Sequence, residues 1–304
     1  MKPTIRLIIL SASIPFSLLI TSSARPVKII TAPQTQTGAS ERPPSDQLID
    51  VGGYRLHLKC SGSGSPTVIL EAGQGGGSDD WDEVMPEVAK HTRVCAYDRA
   101  GRGTSDPAPR KLRRFNSHTY IELRTGQEVV RDLRTLLAKA GEAGPNVIAA
   151  HSLGGLYAIL YTHQYPNEIV GLVFVDISHP DQTARAAALT TPEMARRRRD
   201  GLMQNREGVD IDETLAKVRA LNWRTSVPLY VLARGAVIPP PADWTAENWA
   251  KYTAAQREMQ QDYARRSSNS KLIIAEKSGH NIHQDQPDLV IDAIKQVVNL
   301  ARNK

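Results

Sequence analysis

The chain has 304 residues, 40% of them hydrophobic and 23% charged, with a formal net charge of +6. That is ordinary for a globular protein with a core of its own, and it excludes collagen-like, coiled-coil and fully disordered chains. Its two cysteines, Cys60 and Cys95, exclude a disulfide-dense scaffold and any four-cysteine metal site. The mild positive charge raises nucleic acid as a partner, a reading weighed below.

Residues 1–24 carry the three parts of a secretory signal. Lys2 and Arg6 open it, an apolar stretch runs from Leu7 to Ile20, and Ser22-Ser23-Ala24 supplies small residues for cleavage after Ala24. The apolar stretch contains Ser11, Ser13 and Pro15 and falls short of the roughly 20 residues that a spanning helix needs. The expectation is therefore a secreted or periplasmic protein with no stable membrane span once the signal is removed. Residues 25–46, rich in Pro, Thr, Ser and Gln without periodicity, read as a disordered leader. In an oxidising compartment the two cysteines become candidates for a bridge.

From Gln47 the chain alternates short apolar runs with helical segments. Gln47–Lys59 reads as a hairpin around Gly52-Gly53, followed by strands at Thr67–Glu71 and Val94–Tyr97. Val130, Leu133, Leu136 and Leu137 are spaced as one face of a helix over Gln127–Ala140. A strand at Asn146–Ala150, a helix at Leu153–Gln164 and a strand at Gly171–Val175 follow. Pro228–Ala233 and Lys271–Ala275 are further strands, and Leu289–Leu300 closes the chain as a helix. This order implies an α/β fold, a mostly parallel sheet with helices on both faces. Two stretches break the rhythm. Residues 178–227 are helical and strongly charged with no strand, a candidate lid insertion, and a second helical insertion runs from about Asp243 to Arg266. Trp244 and Trp249 in the latter are expected to pack the insertion rather than to line a pocket. The core is then residues 47–177 and 228–304.

The most informative segment is Ala150-His151-Ser152-Leu153-Gly154, at the junction of a strand and a helix. It resembles the nucleophile elbow G-x-S-x-G, with Ala150 at the first glycine. The serine of such an elbow occupies a strained turn, so the residues two before and two after it must be small. Three other segments carry the same resemblance: Val68 to Gly77, an oxyanion loop with Ala72 where His is usual; Asp98-Arg99-Ala100-Gly101-Arg102-Gly103-Thr104-Ser105, similar to D-x-x-G-x-G-x-S; and Ser278-Gly279-His280 with Asp285-Gln286-Pro287 after it. From Gln47 to the C-terminus the chain resembles the serine-nucleophile branch of the α/β-hydrolase superfamily.

The resemblance implies roles. Ser152 is the nucleophile and His280 its base, in the chain order Ser, acid, His. His283 lacks the preceding glycine and His151 is expected to pack. The acid has two possible places. After the strand Pro228–Ala233 and Gly235, Ile238 stands where a carboxylate is common, and the first carboxylate is Asp243. At the end of the preceding strand stands Asp176, which is favoured over Asp243, with Asp181 a third candidate. Backbone N–H groups of Gln74 and Leu153 would form the oxyanion hole. The resemblance also places the strand of Cys60 beside that of Cys95, so a Cys60–Cys95 bridge is expected, adding roughly 3–4 kcal/mol in the chain-entropy model.

Other signals fail. Gly73–Gly77 lacks the Lys-Ser/Thr of a phosphate loop, and Gly101-Arg102-Gly103 lacks the third glycine of a dinucleotide fingerprint. The histidines show no paired metal spacing. Arg196–Arg199 reads as a solvated helix face beside Glu193 and Asp200, and no nucleic-acid motif accompanies it. The sequence thus points to an exported serine hydrolase acting on a small-molecule carboxylic ester, without cofactor, metal or nucleic-acid partner. Two alternatives stand beside it: a non-catalytic ligand-binding protein on the same fold, and an amidase or peptidase. Oligomeric state is not legible.

Overall fold

A computed structural model describes residues 43–115, 118–203, 207–242 and 244–303. The expected signal, its cleavage site at Ala24 and the leader as far as residue 42 lie outside the described residues, as does Asp243.

The first hairpin joins β1 (Ser45–Asp50) to β2 (Arg55–Ser61), so Ser45 and Asp46, expected in the leader, belong to a strand of the fold. Its turn uses glycine where the chain needs it: Gly52 and Gly53 have φ of 126° and 102°, and Asp50 Oδ1 accepts a hydrogen bond from Gly52 N–H at 2.9 Å. Then follow β3 (Thr67–Glu71), α1 (Met85–Ala89) and β4 (Val94–Tyr97). A two-stranded ribbon, β5 (Lys111–Phe115) with β6 (His118–Glu122), interrupts the chain before α2 (Gly126–Lys139). Helix α2 opens with a capping box between Thr125 and Glu128 and buries Val129, Val130, Leu133, Leu136 and Leu137. Next come β7 (Asn146–His151), α3 (Gly154–Gln164) and β8 (Ile169–Val175).

Between β8 and the next strand lie α4 (Gln182–Ala187), α5 (Pro192–Met203) and α6 (Ile211–Ala220). Strand β9 (Leu229–Arg234), helix α7 (Ala246–Ala264), strand β10 (Ser270–Ala275), α8 (Ile282–Asp285) and α9 (Pro287–Arg302) complete the chain. Trp244 packs in an aromatic cluster with Trp249 and Tyr252, at 5.5 and 5.0 Å between ring centres. Trp249 also lines a cavity described below.

The main sheet has eight strands in the order β1-β2-β4-β3-β7-β8-β9-β10, antiparallel at β1/β2 and β2/β4 and parallel from β4 onward. Its central strands are mostly apolar because both faces are covered. Ile69, Ile148, Leu172, Phe174 and Val231 pack toward α2, α3 and α6. The alternate residues Val68, Leu70, Val147, Val173 and Leu232 pack toward α1 and α9. Cys60 and Cys95 are register partners on β2 and β4, and their sulfurs are joined at 2.06 Å. Among the described residues no helix is long and apolar enough to cross a membrane.

Candidate active site

The sheet order assembles the site. Strand β7 runs between β3 and β8, with β9 and β10 beyond. Loops leaving the carboxyl ends of parallel strands share one rim, where α/β folds place their ligands. Ser152 follows β7, the Gly73–Gly75 loop follows β3, Asp176 follows β8, Arg234 ends β9, and His280 lies after β10.

Ser152 has φ of 52°, the left-handed region that ordinary residues avoid. The turn is held because Ser152 N–H donates to Val175 O at 3.2 Å while Ser152 O accepts from Ser178 N–H at 2.9 Å. Gly154 is required by a close approach: a Cβ there would lie 2.5 Å from Ala72 O and 2.7 Å from Glu71 Cγ. Ala150 is fully buried within β7 and its methyl is accommodated, which is why the first glycine of the elbow is dispensable here. A Cβ on Gly73 would lie 3.2 Å from Ser152 Cβ, so the loop after β3 lies directly against the serine. Leu153 is the residue preceding α3, and its N–H belongs to that helix's N-terminus, where backbone donors favour negative charge.

His280 Nε2 is 2.9 Å from Ser152 Oγ, and its Nδ1 is 2.6 Å from Asp176 Oδ2. With the imidazole proton on Nδ1, that nitrogen donates to Asp176 and Nε2 is free to accept from the serine hydroxyl. The loop bearing His280 is fixed from the following helices: Gly279 N–H donates to Asp285 Oδ2 at 3.2 Å and Ser278 Oγ–H to Gln286 Oε1 at 3.0 Å. Asp176 is buried, with φ of 46°. Burial alone would push its carboxyl up, but the hydrogen bond from His280 and the Arg234 guanidinium together hold it below the ordinary carboxylate range. Arg234 donates from Nε to Asp176 Oδ2 at 2.7 Å and from its backbone N–H to Oδ1 at 3.3 Å, and its Nη2, also paired with Oδ2, is 2.9 Å from His280 Nδ1.

Asp181 does not join this group. It is half-exposed and accepts from Arg219 Nε at 2.9 Å. His151 is buried, lies 3.1 Å through Nε2 from the carbonyl of His280, and stacks between the rings of His280 and His283 at 4.6 and 4.3 Å. Burial, then the neighbouring His280 and His283, pushes its imidazole far below the ordinary histidine range, so it stays neutral. Burial likewise pushes His283, stacked on Trp81, down to about 4. Neither ring takes part in the hydrogen-bonded chain to Ser152.

A second charged group lies beneath the loop after β3. Arg99 is buried and donates to Ala72 O and Glu71 Oε1 from Nη1 at 2.7 and 2.5 Å. From Nη2 it donates to Gly73 O at 2.5 Å and Glu207 Oε1 at 2.9 Å, and from Nε to Glu207 Oε2 at 2.8 Å. Tyr97 O–H donates to Glu71 Oε2 at 2.5 Å. Burial pushes the Glu71 carboxyl up. Glu207 is lowered, because Arg99 and the Gly75 N–H outweigh its own burial. The sequence reading did not single out Glu71, Glu207 or Arg234. One signal was present: a carboxylate ending the otherwise apolar strand TVILE needs a buried partner.

The turn after β4 has a structural role. Asp98 accepts from Ser78 N–H at 2.7 Å and Thr104 N–H at 3.1 Å, and Ser105 Oγ–H donates to Asp98 O at 2.6 Å.

A model of the alpha/beta hydrolase family matches residues 68–293, and the chain belongs to that family. In sequence it is 26% identical over 256 residues to the uncharacterised protein YqjL of Bacillus subtilis (strain 168), covering 83% of this chain and 91% of that one. Among solved structures it is similar to a thermophilic esterase from Thermogutta terrifontis, with malate bound, at TM-score 0.56 and 19% identity, covering 86% of this chain and 99% of the other. The epoxide hydrolase CorEH aligns at TM-score 0.53 and 14% identity over 84% and 98% of the two chains. At these identities the likeness is one of fold, and a fold shared by an esterase and an epoxide hydrolase does not choose the reaction.

Proposed function

We propose that the chain is an exported serine hydrolase that cleaves a carboxylic ester through an acyl-enzyme. The observation that carries this reading is the continuous chain from Ser152 Oγ through the His280 imidazole to Asp176, at 2.9 and 2.6 Å. A serine hydroxyl is a poor nucleophile until a base takes its proton. Ser152 Oγ attacks the ester carbonyl carbon as its proton passes to His280 Nε2. Asp176 stabilises the imidazolium through Nδ1, and the carbonyl oxygen, now negative, lies against the N–H groups of Gln74 and Leu153. The C–O bond breaks, the alkoxide takes the proton from Nε2, and the acyl group remains on Ser152. Water then attacks with the same base and releases the acid. A serine at the elbow favours this course over aspartate-nucleophile chemistry. A cavity of about 530 Å³ is walled by Arg234, the partner of Asp176, together with Val237, Pro239, Trp249 and Arg257, and has room for a small molecule.

A fluorophosphonate probe tests the reading. Native protein is expected to be labelled at Ser152, and Ser152→Ala to lose both labelling and ester turnover. No labelling of the folded native protein would overturn the enzyme reading and favour a ligand-binding protein. Faster cleavage of an aminoacyl amide than of its matched ester would favour the amidase or peptidase. Export rests on the basic start, apolar stretch and Ser22-Ser23-Ala24. The full-length chain expressed in a secreting bacterial host is expected outside the cytoplasm, beginning at Arg25 and with no thiol open to alkylation. An intact-mass measurement that finds residues 1–24 retained would count against it.

A further inference from the structure

We propose that Glu207 is a positioning residue for the oxyanion loop, which makes the turn that leads into α6 a working part of the site. The proposal rests on Ser152 being the nucleophile and goes on to say what holds its oxyanion donors in place.

Gln74, whose N–H is to meet the oxyanion, is flanked on both sides by groups that the Arg99–Glu207 pair holds. Before it, the carbonyls of Ala72 and Gly73 accept from Arg99 at 2.7 and 2.5 Å. After it, Gly75 N–H donates to Glu207 Oε1 at 3.2 Å. Gly75 has φ of 79°, and Gly76 N–H closes the turn on Gly73 O at 3.3 Å. The two carboxylate oxygens of Glu207 meet Nε and Nη2 of Arg99, a bidentate pairing that fixes the plane of the guanidinium as well as its place. The side chain of Glu207 is 2% exposed.

Glu207 comes from far along the chain, but its own backbone is anchored. Gly208 O accepts from Arg124 N–H at 2.7 Å, Asp210 N–H donates to Arg124 O at 2.8 Å, and Asp210 caps α6 through Glu213 N–H at 2.9 Å. A buried ion pair is weak evidence for stability, since an apolar substitute often serves as well. What an apolar side chain would not supply is an acceptor for Gly75 N–H and a fork for Arg99. Both serve the orientation of the turn between them. Oxyanion donors act through geometry, and misplacement by about 1 Å costs on the order of 10²-fold.

The experiment compares Glu207→Ala and Glu207→Gln with the native protein on a p-nitrophenyl ester, with active sites counted by fluorophosphonate titration. Per titrated site, Glu207→Ala is expected to lose kcat by on the order of 10²-fold while KM stays within about threefold. Glu207→Gln keeps an acceptor for Gly75 N–H and is expected to recover about tenfold of that loss. Affinity for a boronic acid that mimics the tetrahedral adduct should fall in parallel with kcat. Amide hydrogen exchange over residues 72–77 should accelerate in both variants while that of α2 and α3 does not. A purely structural role predicts fewer titratable sites with unchanged kcat per site. That result, or a loss confined to KM, overturns the proposal, and Glu207→Gln carries the test if the alanine variant does not fold. Absence of labelling in the native protein would instead overturn the hydrolase reading on which the proposal rests.

Discussion

Asp176→Asn is expected to hydrolyse an activated ester roughly 10⁴-fold more slowly than the parent while remaining folded. Asparagine has the shape of aspartate and tolerates the left-handed backbone found at this position, φ 46°. What it lacks is the charge that stabilises the imidazolium and selects the tautomer with the proton on Nδ1. The loss is deepened by Arg234. In the parent, the guanidinium and the imidazole share Asp176 Oδ2; in the variant, a cation that stands 2.9 Å from Nδ1 in the parent loses the anion that offsets it. Removing one partner of a fully buried pair destabilises by about 3–5 kcal/mol. Arg234 is partly exposed and can turn to solvent, so about 1–3 kcal/mol is expected in urea unfolding. Asp243→Asn serves as the comparison and should keep its activity. If Asp176→Asn retains more than about a tenth of kcat/KM and Asp243→Asn does not, the acid has been misassigned.

This test is needed because chain order left two places open for the acid, whereas the elbow was legible outright. The elbow is set by local sterics: Gly154 has backbone atoms of Ala72 and Glu71 within 3 Å of where a Cβ would stand, so the small residue is visible in the sequence itself. Which carboxylate meets His280 depends on which strand end faces it, and sheet order sets that. Strands β8, β9 and β10 lie side by side, and Asp176, just after β8, and Arg234, at the end of β9, come from strands that neighbour one another there. Ion pairs were less legible still. Arg99 and Glu207 are 108 residues apart, and no spacing or periodicity connects them. The ribbon β5–β6 escaped notice for a different reason. Its Leu112 and Ile121 are exposed, so these two apolar residues mark no buried face that a sequence pattern could record. The central strands, by contrast, are continuous apolar runs because two helical layers cover them, and burial on both faces is what the sequence records most directly.

The charged group beneath the oxyanion loop leads to the largest expected effect on stability. Arg99→Met is expected to destabilise the protein by about 3–5 kcal/mol, read as a lower urea midpoint with little change in slope. Methionine fills much of the same volume, so packing is not the main loss. The loss comes from Glu71 and Glu207, two buried carboxylates that share Arg99 and are left without a cation, and from the carbonyls of Ala72 and Gly73, which lose the hydrogen bonds from Arg99. The sign of the pH dependence follows. Without Arg99, burial raises both carboxyls in the folded state above their unfolded values near 4.3, so the folded variant binds protons that the unfolded chain does not. Its stability therefore rises relative to the parent as pH falls from neutrality toward about 5, and the difference between the two narrows. Adding Glu207→Met to Arg99→Met removes one of the stranded charges and should recover part of the loss at neutral pH. The recovery should shrink on acidification, as protonation does the same work. A loss independent of pH and unaffected by Glu207→Met would mean that the cluster contributes through shape alone. The ion pair would then have no electrostatic part in holding the loop against Ser152.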